Sequence, residues 1–123
     1  MTRVNLQELT VEQLVERFVA IGLAQQQADL YDDIGEFNRL FKKMQEVVKE
    51  LRGREGDQRS ILLALYDHPN LQVRLKAVKN SLALAPKEGR RVLQAIADYN
   101  RQPQAGEARA SLRNLDKGIF KPT

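Results

Sequence analysis

Chemistry needs a nucleophile beside a base, a set of metal ligands, or a cradle for phosphate, and the residues able to supply these are few in this chain. Histidine occurs once, as His68, in the stretch Asp67-His68-Pro69-Asn70, and cysteine is absent. A catalytic triad needs a base held against its nucleophile, and a single histidine ahead of a proline reads as part of a turn. The densest carboxylate group is Asp29, Asp32, Asp33 and Glu36, spaced i, i+3, i+4, i+7 on one helical face. Helical di-metal centres draw on Glu-x-x-His pairs from several helices, and no such pair occurs. The cluster therefore reads as a solvated acidic helix start, suited to the positive end of the helix dipole. Glycine-rich phosphate loops follow strands, and no strand pattern is found. The expectation is a protein with no catalytic residues, no metal and no cofactor.

The remaining signal is helical and basic. The chain has 123 residues, 42% of them apolar and 29% charged, with a formal charge of +4. That suits one domain with a real core. Residues 1–56 hold 8 basic and 10 acidic side chains, whereas residues 57–123 hold 12 and 6. An acidic front and a basic back can orient a protein on an anionic partner or on a second copy of itself. The absence of cysteine and of an apolar leader or span fits a cytoplasmic address.

The elements that must position these charges can be read in order. Residues 1–8 lack a pattern. Thr10 and Gln13 form a capping box, opening a helix through Val11, Leu14, Val15, Phe18 and Ile21 that is expected to end near Gly22-Leu23. A link at Gln25-Gln26-Gln27 then leads to a long helix over 26–52. Its residues Leu30, Ile34, Phe37, Phe41, Met44, Val48 and Leu51 make a heptad seam, expected to close an intramolecular core, with a homodimer seam as the alternative. Gly53-Arg54-Glu55-Gly56 reads as a flexible joint.

Residues 57–84 read as two antiparallel α-helices. The first carries Ile61, Leu62, Leu65 and Tyr66, and Pro69 breaks it. Asn70 caps the second, whose apolar face is Leu71, Leu75, Val78 and Leu82. Arg74 falls inside that face and needs a partner: Asp67, Asp57, or the carbonyls closing a neighbouring helix. Gln72, Lys76, Lys79 and Asn80 project to the opposite, outward side. Pro86 begins a fifth helix with Val92, Leu93, Ile96 and Ala97 inward. Pro103 separates it from a sixth carrying Ala105, Ala108, Leu112 and Leu115. The tail Gly118–Thr123 is expected to fold back as a cap, burying Ile119 and Phe120.

The run from Leu65 through Asp67, Pro69, Asn70, Val73, Arg74, Ala77 and Val78 resembles the turn and second helix of a HEAT or armadillo-type repeat. Together with VLQAIAD and GIFKPT, it makes the chain similar to small bacterial HEAT-like proteins of unknown function. That resemblance implies an all-α fold, an α–α superhelix of about six helices. It would divide the single domain 1–123 into an N-terminal helix pair (10–52), two hairpins (57–117) and a C-terminal cap (118–123). Val73-Arg74 and Ala108-Arg109 lie 35 residues apart, near one repeat length. Asp67, Pro69, Asn70 and Arg74 are the expected structural residues. Second helices of stacked hairpins share a side, so Lys76, Lys79, Arg113 and Lys117 are expected to form a positive strip for a partner, most simply a protein. Nucleic acid is the alternative, weakened by the absence of tryptophan and the scarcity of aromatics. An immunity-type inhibitor is a third possibility.

Overall fold

The computed structural model describes residues 4–123. Residues 1–3 lie outside it, so the expectation for 1–8 can be compared only from Val4 onward. The described elements are two 3-10 helices and five α-helices, with no strand among the described residues. They fall into two compact units, one ending at Ile61 and one spanning Leu62–Thr123.

In the first unit a 3-10 helix, Leu6–Glu8, precedes α1 (Val11–Leu30) and α2 (Ile34–Gly53). The capping box forms as expected: Gln13 N–H donates to Thr10 Oγ1 at 3.1 Å, and Thr10 N–H donates to Gln13 Oε1 at 2.8 Å. The end of α1 differs from expectation. The helix runs through Gly22 and the glutamines, because the inward stripe Leu14, Phe18, Ile21 continues through Gln25 and Ala28, all buried. Glutamine is a good helix former, so nothing there stops the ladder.

The break falls eight residues later. Asp32 takes a left-handed φ of 53°, and Asp33 caps α2 by accepting from Glu36 N–H at 3.0 Å. This split undoes the long helix over 26–52 and half of its seam. Met44, Val48 and Leu51 are buried, joined by Leu40 and Val47, whereas Leu30 and Ile34 are 72% and 73% exposed. A turn between Leu30 and Ile34 means that the first heptad never belongs to one continuous face.

Residues 58–65 form a 3-10 helix, Gln58–Leu65, where an α-helix was expected. Gly56 and Asp57 are both left-handed before it (φ 78° and 51°), and Pro69 closes it soon after. Its buried residues are Arg59, Leu62 and Leu65, every third position, as an eclipsed 3-10 turn requires. Asp57 clamps the Arg59 guanidinium at 2.9 and 2.7 Å.

The second unit contains α3 (Leu71–Ser81), α4 (Pro86–Tyr99) and α5 (Gln104–Asp116). Asn70 caps α3 by accepting from Val73 N–H at 3.0 Å, and Pro86 opens α4. The two arms of 57–84 are not a simple antiparallel hairpin. The Tyr66 hydroxyl donates to Ser81 Oγ at 2.7 Å, in the last turn of α3, about 15 Å along the axis from its start. Ser81 Oγ in turn donates a hydrogen bond to Ala77 O at 2.6 Å.

Leu75, Val78, Leu93, Ile96, Ala105 and Ala108 form the core of this unit. Gly89 permits α4 to approach α3: a Cβ there would stand 2.2 Å from Leu82 Cδ1. After α5, Gly118 turns the chain at φ 70°. Ile119 and Phe120 N–H groups then donate to Asn114 O at 2.8 and 3.0 Å. The tail stops the helix as expected, but Ile119 stays 70% exposed and packs no core.

Candidate functional site

The contact of α3 with α5 is the most elaborated polar feature of the Leu62–Thr123 unit. Gln72, Lys76 and Lys79 stand at i, i+4, i+7 on α3, and Gln104 and Glu107 at i, i+3 on α5, so each set lines one stripe. Gln104 Nε2 donates to Gln72 Oε1 at 3.0 Å. Lys76 Nζ and Lys79 Nζ both donate to Glu107 Oε2, at 2.8 and 3.1 Å. Burial of the Glu107 carboxyl works against its charge, but the two ammonium groups outweigh it and hold the carboxyl below the usual carboxylate range.

This seam corrects the outward placement of Gln72 and Lys76, which are 3% and 7% exposed. A wheel projection finds one apolar face and assigns the rest to solvent. Here α3 is covered on two sides, by α4 on its apolar stripe and by α5 on its amide and ammonium stripe. The four cations of the expected strip are therefore divided. Lys76 and Lys79 are committed to Glu107. Arg113, in the last turn of α5, and Lys117, which caps its C-terminus, are exposed, with no ion pair among the described residues.

Arg74 finds its partner in the turn. Its Nε and Nη2 donate to His68 O at 2.9 and 2.8 Å, so the carbonyl alternative holds rather than Asp67 or Asp57. Asp67 and Pro69 are exposed. His68 belongs to the turn, its Nδ1 accepting from Asn70 N–H at 3.0 Å. Arg109 does equivalent work one helix pair later. Its Nη2 donates to Ala97 O and Asn100 Oδ1, both at 2.8 Å, closing the C-terminus of α4.

At the turn between α1 and α2, Asp29, Asp32 and Asp33 line a shallow recess of about 170 Å³ with Ala28, Ile34 and Phe37. Glu36 is drawn away by Arg39, whose hydrogen bonds lower its carboxyl from the ordinary value. No group of three or more His, Cys, Asp or Glu among the described residues is arranged to hold a metal ion. No helix among the described residues is long and apolar enough to cross a membrane. Sequence reading missed Glu107 and Gln104. The available signal was the buried small residues Ala105, Ala108 and Ser111, which let α5 lie close against a neighbour.

Five α-helices and two 3-10 helices, with no strand among the described residues, make the protein all-helical. Residues 12–116 match the family model described as a domain of unknown function, DUF2019, and the chain belongs to that family. It is similar to the crystal structure of the protein RPA1889 from Rhodopseudomonas palustris CGA009. The two share 45% identity and a TM-score of 0.94 over 98% of this chain and 100% of that one. Comparison with curated proteins finds no match.

Proposed function

We propose that the chain is a cytoplasmic binding scaffold without catalysis, a HEAT/armadillo-like stack that presents the exposed edge of α5 to another protein. The observation that carries this reading is the pair Arg74 and Arg109. They lie 35 residues apart, and each donates to a backbone carbonyl that closes the preceding segment. A backbone tie that recurs near one repeat length is consistent with stacked helical repeats. Such scaffolds act through surface, and the exposed cations on this surface are Arg113 and Lys117, with Lys79 half-buried beside Glu107.

Two free cations suit an acidic protein patch better than a phosphate track, which gains affinity only by neutralising several phosphates at once. An immunity-type inhibitor would be one form of the same scaffold. The test is retrieval from the native cell with the full tagged chain and with Arg113→Glu/Lys117→Glu. The double reversal should lose a protein that the unaltered chain retains. Identical proteins on both baits, or retained nucleic acid released by salt, would overturn this reading.

A further inference from the structure

Where α3 stops and α4 starts, the second unit holds an open recess of about 270 Å³, lined by Leu82, Ala83, Pro86, Arg90, Leu115 and Pro122. Its walls follow from the course of the chain. Leu82 ends α3 and is buried, and Leu115 stands in the last turn of α5. The left-handed Gly118 then turns the tail, and Pro122 comes back to the same place. Pro86 and Pro122 carry no N–H, so they add no backbone donor. The one charged lining group is Arg90. Its Nη1 donates to Asp116 Oδ1 at 2.9 Å, while its Nε and Nη2 have no partner among the described residues. The two side chains are 48% and 66% exposed, so Asp116 holds one prong of the fork in water and is a weak competitor for the other.

We infer that this recess binds a small apolar monocarboxylate, its chain against Leu82, Ala83 and Leu115 and its carboxylate on the open Nε–Nη2 edge of Arg90. Ligand sites have this make-up, mostly apolar walls with a few polar groups that fix orientation. The two N–H groups on that edge match the two oxygens of a carboxylate. A neutral hydrocarbon would leave the edge unanswered. A dicarboxylate would press its second charge on Leu82 or Leu115, with no second cation among the lining residues. Size sets the length of the chain. A dry cavity of about 150 Å³ takes benzene, so about ten heavy atoms fill this recess to the same degree, which is the size of octanoate. Neither Arg113 nor Lys117 lines the recess, because residues two apart from Leu115 do not share its side of the helix. The inference therefore goes beyond the α5 reading and stands or falls separately from it.

The test is a titration of the full ¹⁵N-labelled chain with sodium octanoate, followed by amide chemical shifts, up to about ten millimolar, the range for a small open site. Saturable shifts should appear at Ala83, Leu84, Arg90 and Leu115 and leave Gly35 and Gly53 of the first unit unmoved. Octan-1-ol, which has the chain without the charge, should bind about fivefold more weakly, and Arg90→Gln should weaken octanoate by a similar factor, the worth of a partly exposed ion pair. Asp116→Asn removes the competing carboxylate and should tighten octanoate about twofold, which a merely structural Arg90–Asp116 pair would not do. Ala83 is exposed, so Ala83→Trp should block the recess and abolish the saturable shifts without moving the urea midpoint. Equal binding of octanoate and octan-1-ol, an Asp116→Asn variant that binds no tighter, or shifts spread over both units would each overturn the inference.

Discussion

The hairpin of α1 and α2 and the three-helix unit of α3 to α5 face the same burial problem and fill their interfaces differently. Between α1 and α2 the fill is apolar: Leu14, Phe18 and Ile21 on one side, Met44, Val47 and Leu51 on the other. Even the buried amide of Gln25 turns to a sulfur, Met44 Sδ, at 3.9 Å. In the second unit α4 supplies the apolar face, and α5 adds a second interface of amides and ion pairs around Glu107. Apolar contact carries no directional information. A hydrogen-bonded seam has one correct register, because a slip leaves a buried charge unpaired. The second unit, built from short helices, thus has a register device that the long hairpin does not need.

The largest effect should come from the apolar side of this comparison. Phe18 is fully buried, and Phe18→Ala should destabilise the chain by about 3–5 kcal/mol through lost transfer energy and the cavity left behind. Urea unfolding followed by far-ultraviolet circular dichroism measures it. A loss below about 1 kcal/mol would mean that the hairpin interface collapses around the gap and is not the rigid core described.

Much of this core was legible because amphipathic spacing survives in single sequences. Leu14, Phe18, Leu93 and Ile96 fall where a 3.6-residue period puts them. The starts of α1, α3 and α4 were legible too, since Thr10, Asn70 and Pro86 act through local geometry. What failed was non-local. Gly22 and the glutamines looked like a linker because the α1 stripe changes character there, although Gln25 is buried. The Gln58–Leu65 segment carries a pattern that α and 3-10 periods fit equally over two turns. The Gly89 contact with Leu82 and the Lys76–Glu107 bond depend on partners 7 and 31 positions away in sequence. No wheel drawn on one helix contains them.

The polar side is probed by Glu107→Gln. One carboxylate serves two ammonium groups, one of them 9% exposed at its side chain. Its loss should cost about 2 kcal/mol, between the values for exposed and buried pairs. The sign with pH follows from the lowered carboxyl. Stability from Glu107 is complete above the unfolded carboxylate range and is lost as pH falls through the lower folded value. Acid titration of stability should therefore show a steeper fall for the unaltered chain than for Glu107→Gln. Parallel acid limbs would show that the seam contributes no pH-linked stability.

The smallest effect separates the two lysines. Lys76 and Lys79 share one oxygen, but their side chains are 9% and 30% exposed. Solvent screens the outer ammonium and leaves the inner one to hold the carboxylate. Lys79→Met, which keeps most of the aliphatic stem, should cost about 0.5 kcal/mol, as partly exposed pairs do. Lys76→Met leaves Glu107 with only the screened cation and should cost more, by about 1 kcal/mol or above. Urea midpoints of the two variants decide the order. If Lys79→Met proves the more damaging, the inner contact is incidental, and the register of α3 on α5 is set by the Gln72–Gln104 amide pair instead.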